Sequence, residues 1–244
     1  MIKELNKKTI LKKLFLYLLG VALIGVSVNL FKISSLGMTP VTSLPYALEK
    51  IWGFTLGTTT MISYIVFVFI QVLILRKDFP IRNVLGLVLT FWLSFMIDLT
   101  GIDPKALGHL MIGLPIPQAY PARLLYFAVG IIVGAAGVFL YIYVNWAPLP
   151  TDGCAAAIAK ITGRQFGDCK TLVDTAIVLT SLILQLVFLG GFASFTNGNA
   201  VVREGTILAA IFIGQAVKPF TKWFGPKIDA WTAGEKSKTS NSYY

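Results

Sequence analysis

Apolar residues in this chain run on for the length of a membrane crossing, and polar residues gather in the gaps between the runs. Six runs stand out: residues 14–31, 56–75, 84–98, 124–144, 172–192 and 206–220. A helix needs about 20 apolar residues to cross roughly 30 Å of hydrocarbon, so these runs predict transmembrane helices, with the third and sixth the shortest. The expected fold class is an all-α integral membrane protein of six transmembrane helices. Residues 1–13 form a basic lead-in and 102–123 an external connecting loop. Residues 225–244 are expected to be a cytoplasmic tail, disordered over the polar stretch 234–244. No small-residue cleavage site of the A-x-A kind follows the first run, which is therefore expected to be retained.

Composition agrees with the pattern. Apolar residues make up 56% of the 244 positions and charged residues 13%, with a mean hydropathy of +0.76. Soluble domains carry about a quarter charged residues, so a water-soluble enzyme or binding module is excluded. The net charge of +10 then reports orientation rather than nucleic-acid binding. With the N-terminus in the cytoplasm, sixteen of the 21 Lys and Arg fall inside. Only Lys32, Lys50, Lys105, Arg123 and Arg203 lie outside, the bias expected of six spans with both ends cytoplasmic.

The chain also resembles itself. A shift of 110 positions carries Pro40 onto Pro150, Ala47 onto Ala157, Lys50 onto Lys160, Gly53 onto Gly163 and Gly57 onto Gly167 without a gap. Shared Leu and Val would mean little between two membrane segments, but Pro and Gly mark backbone geometry. The repeats are 14–101 and 124–224, each with three spans. An odd number makes the second copy enter the bilayer from the opposite side, so the expected architecture is two inverted three-helix repeats, common among secondary transporters.

Between the first and second spans of each copy, residues 35–53 and 145–163 are too polar for a span and too apolar for a plain loop. Each is expected to be a broken or re-entrant segment: an unwound stretch, a short helix from about Val41 or Thr151 with Pro just outside it, and a Gly stop. Short amphipathic helices lying in the interfaces are the alternative. If the segments dip into the membrane, their unwound backbone must face protein or a watery cavity, and their N-termini favour an anionic guest.

These segments resemble those of the YczE-like membrane proteins within the YczE/YyaS/YitT group. The likeness rests on Leu36 and Gly37 through Pro40 and Thr42, Gly53 through Gly57 and Thr58, Thr151-Asp152-Gly153, and Gly163 through Gly167. It implies a six-span bacterial inner-membrane protein and names no substrate. Where that family often has Asp after the first Pro, this chain has Thr42, so the resemblance does not imply a symmetric pair of carboxylates.

Ionisable groups inside spans default to functional hypotheses. Asp174 is a candidate coupling-ion site, or an i, i+4 partner of Lys170. Asp152 sits where a helix cap would stand. Lys32 is either a counter-charge for a solute or a snorkelling end-of-span lysine, and Lys218 reads as the latter. Asn145 and Trp146 flank the second break and suit a small-ligand pocket, though Trp also favours the membrane interface. Asp98 closes the third span, where a charge needs no special account. Cys154 and Cys169 fit no zinc or redox spacing and read as apolar fillers. Gly130 and Gly134 mark a packing face.

The candidate substrate-binding residues are Lys32, Thr39, Thr42, Asn145, Trp146, Thr151, Asp152 and Gly153. The lone His109 precludes a histidine-ligated metal centre or a Ser-His-Asp triad, and no P-loop or dinucleotide fingerprint occurs. No enzymatic activity, metal or cofactor is expected. The favoured function is secondary transport of a small polar or anionic solute. A six-span capture subunit of a multi-component transporter and a non-transport scaffold remain as alternatives. The expected partners are a small-molecule solute and the lipid bilayer, with a homodimer left open and no nucleic acid.

Overall fold

The computed structural model describes residues 7–80, 82–108, 110–111, 113–195 and 200–232. His109 and the expected tail at 234–244 lie outside those residues. Every regular element among the described residues is helical: α1 (Lys7–Ser34), α2 (Pro40–Trp52), α3 (Leu56–Leu75), α4 (Arg82–Leu99), α5 (Tyr120–Val144), α6 (Pro150–Thr162), α7 (Phe166–Phe188) and α8 (Glu204–Thr232). Four helices, α1, α3, α5 and α7, are long and apolar enough to cross a membrane. The apolar stretch of α4, Asn83–Leu99, is shorter, and α8 carries Lys218, Lys222 and two internal prolines, Pro219 and Pro226.

Three helices depart most from their expected bounds, the first being α1, which starts at Lys7 within the expected lead-in and runs to Ser34. α7 starts at Phe166 and stops at Phe188, because Gly190 and Gly191 follow with positive φ and turn the chain. α8 runs to Thr232, past residue 225 where the tail is expected to begin. Packing holds those extra turns: Tyr143 Oη donates to the Gly225 carbonyl at 2.9 Å and Lys12 Nζ to that of Trp231 at 2.8 Å.

The two short helices fall where the sequence places them. Each has 13 residues, and each ends on a left-handed glycine, Gly53 at φ 70° and Gly163 at φ 69°, whose N–H closes the last turn. A residue with a Cβ adopts that conformation only under strain. Pro40 and Pro150 are the first helical residues rather than lying just outside. Proline fits there because its missing N–H would have no partner in the first turn anyway.

α1 and α5 cross at the centre and run antiparallel. Tyr17 meets Tyr141 edge to face at 5.6 Å, Gly20 lies against Gly137, Ser27 Oγ donates to the Gly130 carbonyl at 2.8 Å, and Phe31 meets Phe127 at 5.1 Å. The partner's number falls as the number on α1 rises. The small residues let the two backbones approach closely, which is how helices associate where lipid removes the hydrophobic drive. Around this pair α2 packs on α3 and α7, α6 on α7 and α3, α4 on α1 and α8 on α5. One pairing has no match: α3 and α4 pack along each other, whereas α7 and α8 barely touch among the described residues.

Candidate functional site

Both short helices begin at the same cavity, of about 1140 Å³. Its wall includes Thr39 and Thr42 from the start of α2, Asn145 at the end of α5, Thr151, Asp152 and Gly153 from the start of α6, and Lys170 and Asp174 from α7. Of the expected site residues, Lys32 and Trp146 are not part of that wall. Trp146 packs on the hydrophobic core instead.

At α2, Thr39 is the N-cap. Its hydroxyl lies 2.8 Å from that of Thr42 and accepts from the Thr42 N–H at 3.4 Å, satisfying a first-turn donor. The unwound stretch before it is pinned to the segment that leads into α8. Met38 N donates to the Val201 carbonyl at 3.1 Å, Gly205 N to that of Leu36 at 2.9 Å, and Arg203 Nη1 to that of Ser35 at 3.2 Å. Gln185 near the end of α7 accepts from the N–H groups of Val201 and Val202, both at 2.9 Å. These bonds supply the unwound backbone with partners inside the protein, as any buried backbone requires.

At α6 the start is fixed by side chains from three other helices. Gln71 of α3 donates to the Pro150 carbonyl at 2.8 Å and accepts from Asn83 of α4 at 2.7 Å, and its amide fills the space beside Gly153 that a Cβ would need. Tyr141 of α5 accepts from the Leu149 N–H at 2.8 Å and donates to Asp152 Oδ2 at 2.8 Å. The other oxygen of Asp152 pairs with Lys170 Nζ at 2.9 Å, and the same ammonium meets Asp174 Oδ1 at 2.8 Å. Asp152 is therefore not the helix cap its position suggests. It is the third residue of α6, and no side chain caps that helix. Lys170 bridges two carboxylates from two helices, so the i, i+4 pair with Asp174 is only half of its bonding. Two carboxylates against one ammonium leave the cluster one negative charge over.

Lys32 has a different fate from either alternative above. Its ammonium is ion-paired with Glu49 Oε1 of α2, their side chains being only 13% and 9% exposed. Glu49 Oε2 is buried without a hydrogen-bond partner. The pair ties the end of α1 to the far end of α2, away from the cavity. Glu49 was legible only as an acid inside a short apolar helix, a position where an unpaired charge is costly. Asp98 also does more than close a helix: it accepts from the Gly57 N–H and the Thr55 hydroxyl, each at 2.8 Å, and so caps α3 from α4. Cys154 and Cys169 are buried and unbridged. Among the described residues no group of three or more His, Cys, Asp or Glu is placed to hold a metal.

The profile of a family of unknown function, DUF6198, matches residues 11–222. The uncharacterized protein YyaS of Bacillus subtilis is 25% identical over 173 residues, covering 71% of this chain and 81% of that protein. An uncharacterized protein of Haemophilus influenzae is 25% identical over 209 residues, covering 86% of this chain and 83% of its own. Both are consistent with the YczE/YyaS-like resemblance. No solved structure matches.

Proposed function

The chain belongs to the DUF6198 family, whose function is unknown, and on that footing we propose that it is a secondary transporter with a solute site where its two short helices meet. The observation that carries this reading is the convergence of both first turns on one cavity that also holds the Asp152–Lys170–Asp174 cluster. Ionisable groups inside a membrane protein mark a pathway or binding site by default. Two further observations support it. Helices with the same place in the two repeats, α1 and α5, run antiparallel, as inverted repeats require, and α2 and α6 both begin on a proline and end on a left-handed glycine. Inverted halves can expose one central site to each side in turn.

The solute is a small molecule with a polar group. The surplus negative charge beside α6 favours a cationic or zwitterionic group there over the anionic one expected from the helix ends alone. The placement is a bacterial plasma membrane with both termini cytoplasmic, which rests on the distribution of Lys and Arg. No enzymatic step is assigned. Uptake by proteoliposomes of radiolabelled amines, amino acids and small organic acids tests the reading. Transport of at least one class that Asp152→Asn reduces about tenfold or more is the expected result, a loss on the scale of one charged hydrogen bond. Binding without uptake would instead make the chain a capture subunit, and neither binding nor uptake from folded protein would overturn the site.

A further inference from the structure

The cavity is not closed on all sides by protein. On the first-half side, α3 and α4 pack closely, Gly57 lies against the Ser94 carbonyl and the Asp98 carboxylate, and Asp98 bonds across the joint. At the corresponding joint α7 and α8 barely touch among the described residues, and Gly167, at the place of Gly57, has nothing within 4 Å of the position a Cβ would take. The segment leading into α8 is tied to the far end of α7 through Gln185, Val201 and Val202. Beyond that tie the two helices leave a gap. Leu179 of α7 and Ile207 and Ile211 of α8 border the cavity, yet they are 54%, 66% and 53% exposed. In a chain whose outer surface meets lipid, residues that border both the cavity and the outside make the two continuous.

The side chains along the gap are mostly apolar, with the exposed Thr171 and Thr175 of α7 among them, and the charged cluster lies further along α7 on the same wall. The volume of about 1140 Å³ exceeds the roughly 300–1,000 Å³ of most small-ligand pockets. In that cluster Asp152 and Asp174 outnumber Lys170. Asp78 and Lys160, the other charged residues on the wall, stand 3.7 Å apart and offset each other. Resting on the transport reading above, we propose that the solute is an amphiphile with a protonated amine head, that it enters sideways from the bilayer between α7 and α8, and that its head reaches Asp152 and Asp174 while its chain lies along Leu179, Ile207 and Ile211. The flexible stem of Lys170 lets its ammonium give way to the incoming one.

The test measures the affinity of ethylamine and octylamine for the protein in phosphatidylcholine nanodiscs, from the unfolding midpoint followed by tryptophan fluorescence, with octanol and octyl sulfonate as controls of equal chain length. Octylamine should bind at least about tenfold more tightly than ethylamine, because two buried methylenes already supply that factor. Gly214→Phe fills the gap from α8, where nothing lies within 4 Å of the glycine. It should weaken octylamine about tenfold or more and leave ethylamine unchanged, and Ile211→Trp serves if that variant fails to fold. Asp174→Asn should weaken both amines. Equal binding of the two amines would overturn sideways entry and leave the polar site standing. Octyl sulfonate binding better than octylamine would overturn the charge assignment. A wild-type dimer that Gly214→Phe splits would show that a second copy fills the gap, and would overturn the proposal. Silence from both amines overturns it even if another solute class is transported, and if no class is transported either, the transport reading falls with it.

Discussion

The two halves of the molecule share a backbone plan and differ in where they place charge. In the first half the charges hold joints together: Lys32 and Glu49 fasten α1 to α2, and Asp98 fastens α4 to α3. In the second half the places corresponding to the first pair are apolar, Ile142 and Ala159. The charges there, Asp152, Lys170 and Asp174, face the cavity. Equivalent glycines tell the same story, since Gly57 is wedged and Gly167 is free. The first half makes a closed wall and the second an open one, although the short helices of the two have the same length.

The comparison is broken most severely at the buried pair. Glu49→Ala leaves the Lys32 ammonium buried and alone and should cost about 3–5 kcal/mol, while Lys32→Met with Glu49→Leu should recover most of it. Thermal unfolding in detergent reads both, and a single variant as stable as the parent would show that water already reaches the pair. Gly57→Ala forces a methyl against the Ser94 carbonyl and Asp98, for a loss of about 1–3 kcal/mol. Asp98→Ala removes the acceptor of the Gly57 N–H while Thr55 still caps the Thr58 N–H, and should cost about 0.5–2 kcal/mol, with faster amide exchange at Gly57 as its local mark. An unchanged exchange rate there would mean that the cap is redundant.

In the second half the same experiments should give small or opposite effects. Gly167→Ala stands in the first turn of a helix with open space around it, so it should be neutral or stabilise by up to about 1 kcal/mol. Asp152→Asn should change stability by less than about 1 kcal/mol, because its pair with Lys170 is part-exposed to the cavity and screened. A loss from Asp152→Asn as large as that from Glu49→Ala would erase the distinction between a structural pair and the cluster we propose holds a solute.

The backbone plan could be read from Pro40, Pro150, Gly53 and Gly163 because those residues restrict φ wherever they stand. The four longest spans could be read because the bilayer fixes their length. What sequence did not show was which charges meet. Lys32 and Glu49 are joined by the turn of the unwound stretch, and Asp152 reaches Lys170 across the Gly163 stop, so neither pair follows a helical spacing. Lys170 with Asp174 does, and it was visible for that reason. The sparse α7–α8 joint had no signature at all, since Gly57 and Gly167 are the same residue in the same register and differ only in their neighbours.

The prolines of α8 have a mechanical consequence. Pro219 and Pro226 stand seven residues apart, two turns of helix, so both interruptions fall on one side of the rod. Each withholds the N–H that a carbonyl four residues earlier, Gln215 or Lys222, would have accepted. Two faults on the same side make the bends add, and the helix is compliant in one direction while it stays stiff in the others. Beside α5 the stacked rings of Phe139, Phe220 and Phe224 hold the stretch around the two prolines, so the C-terminal part of α8 is seated on α5 while its first turns have no such brace from α7.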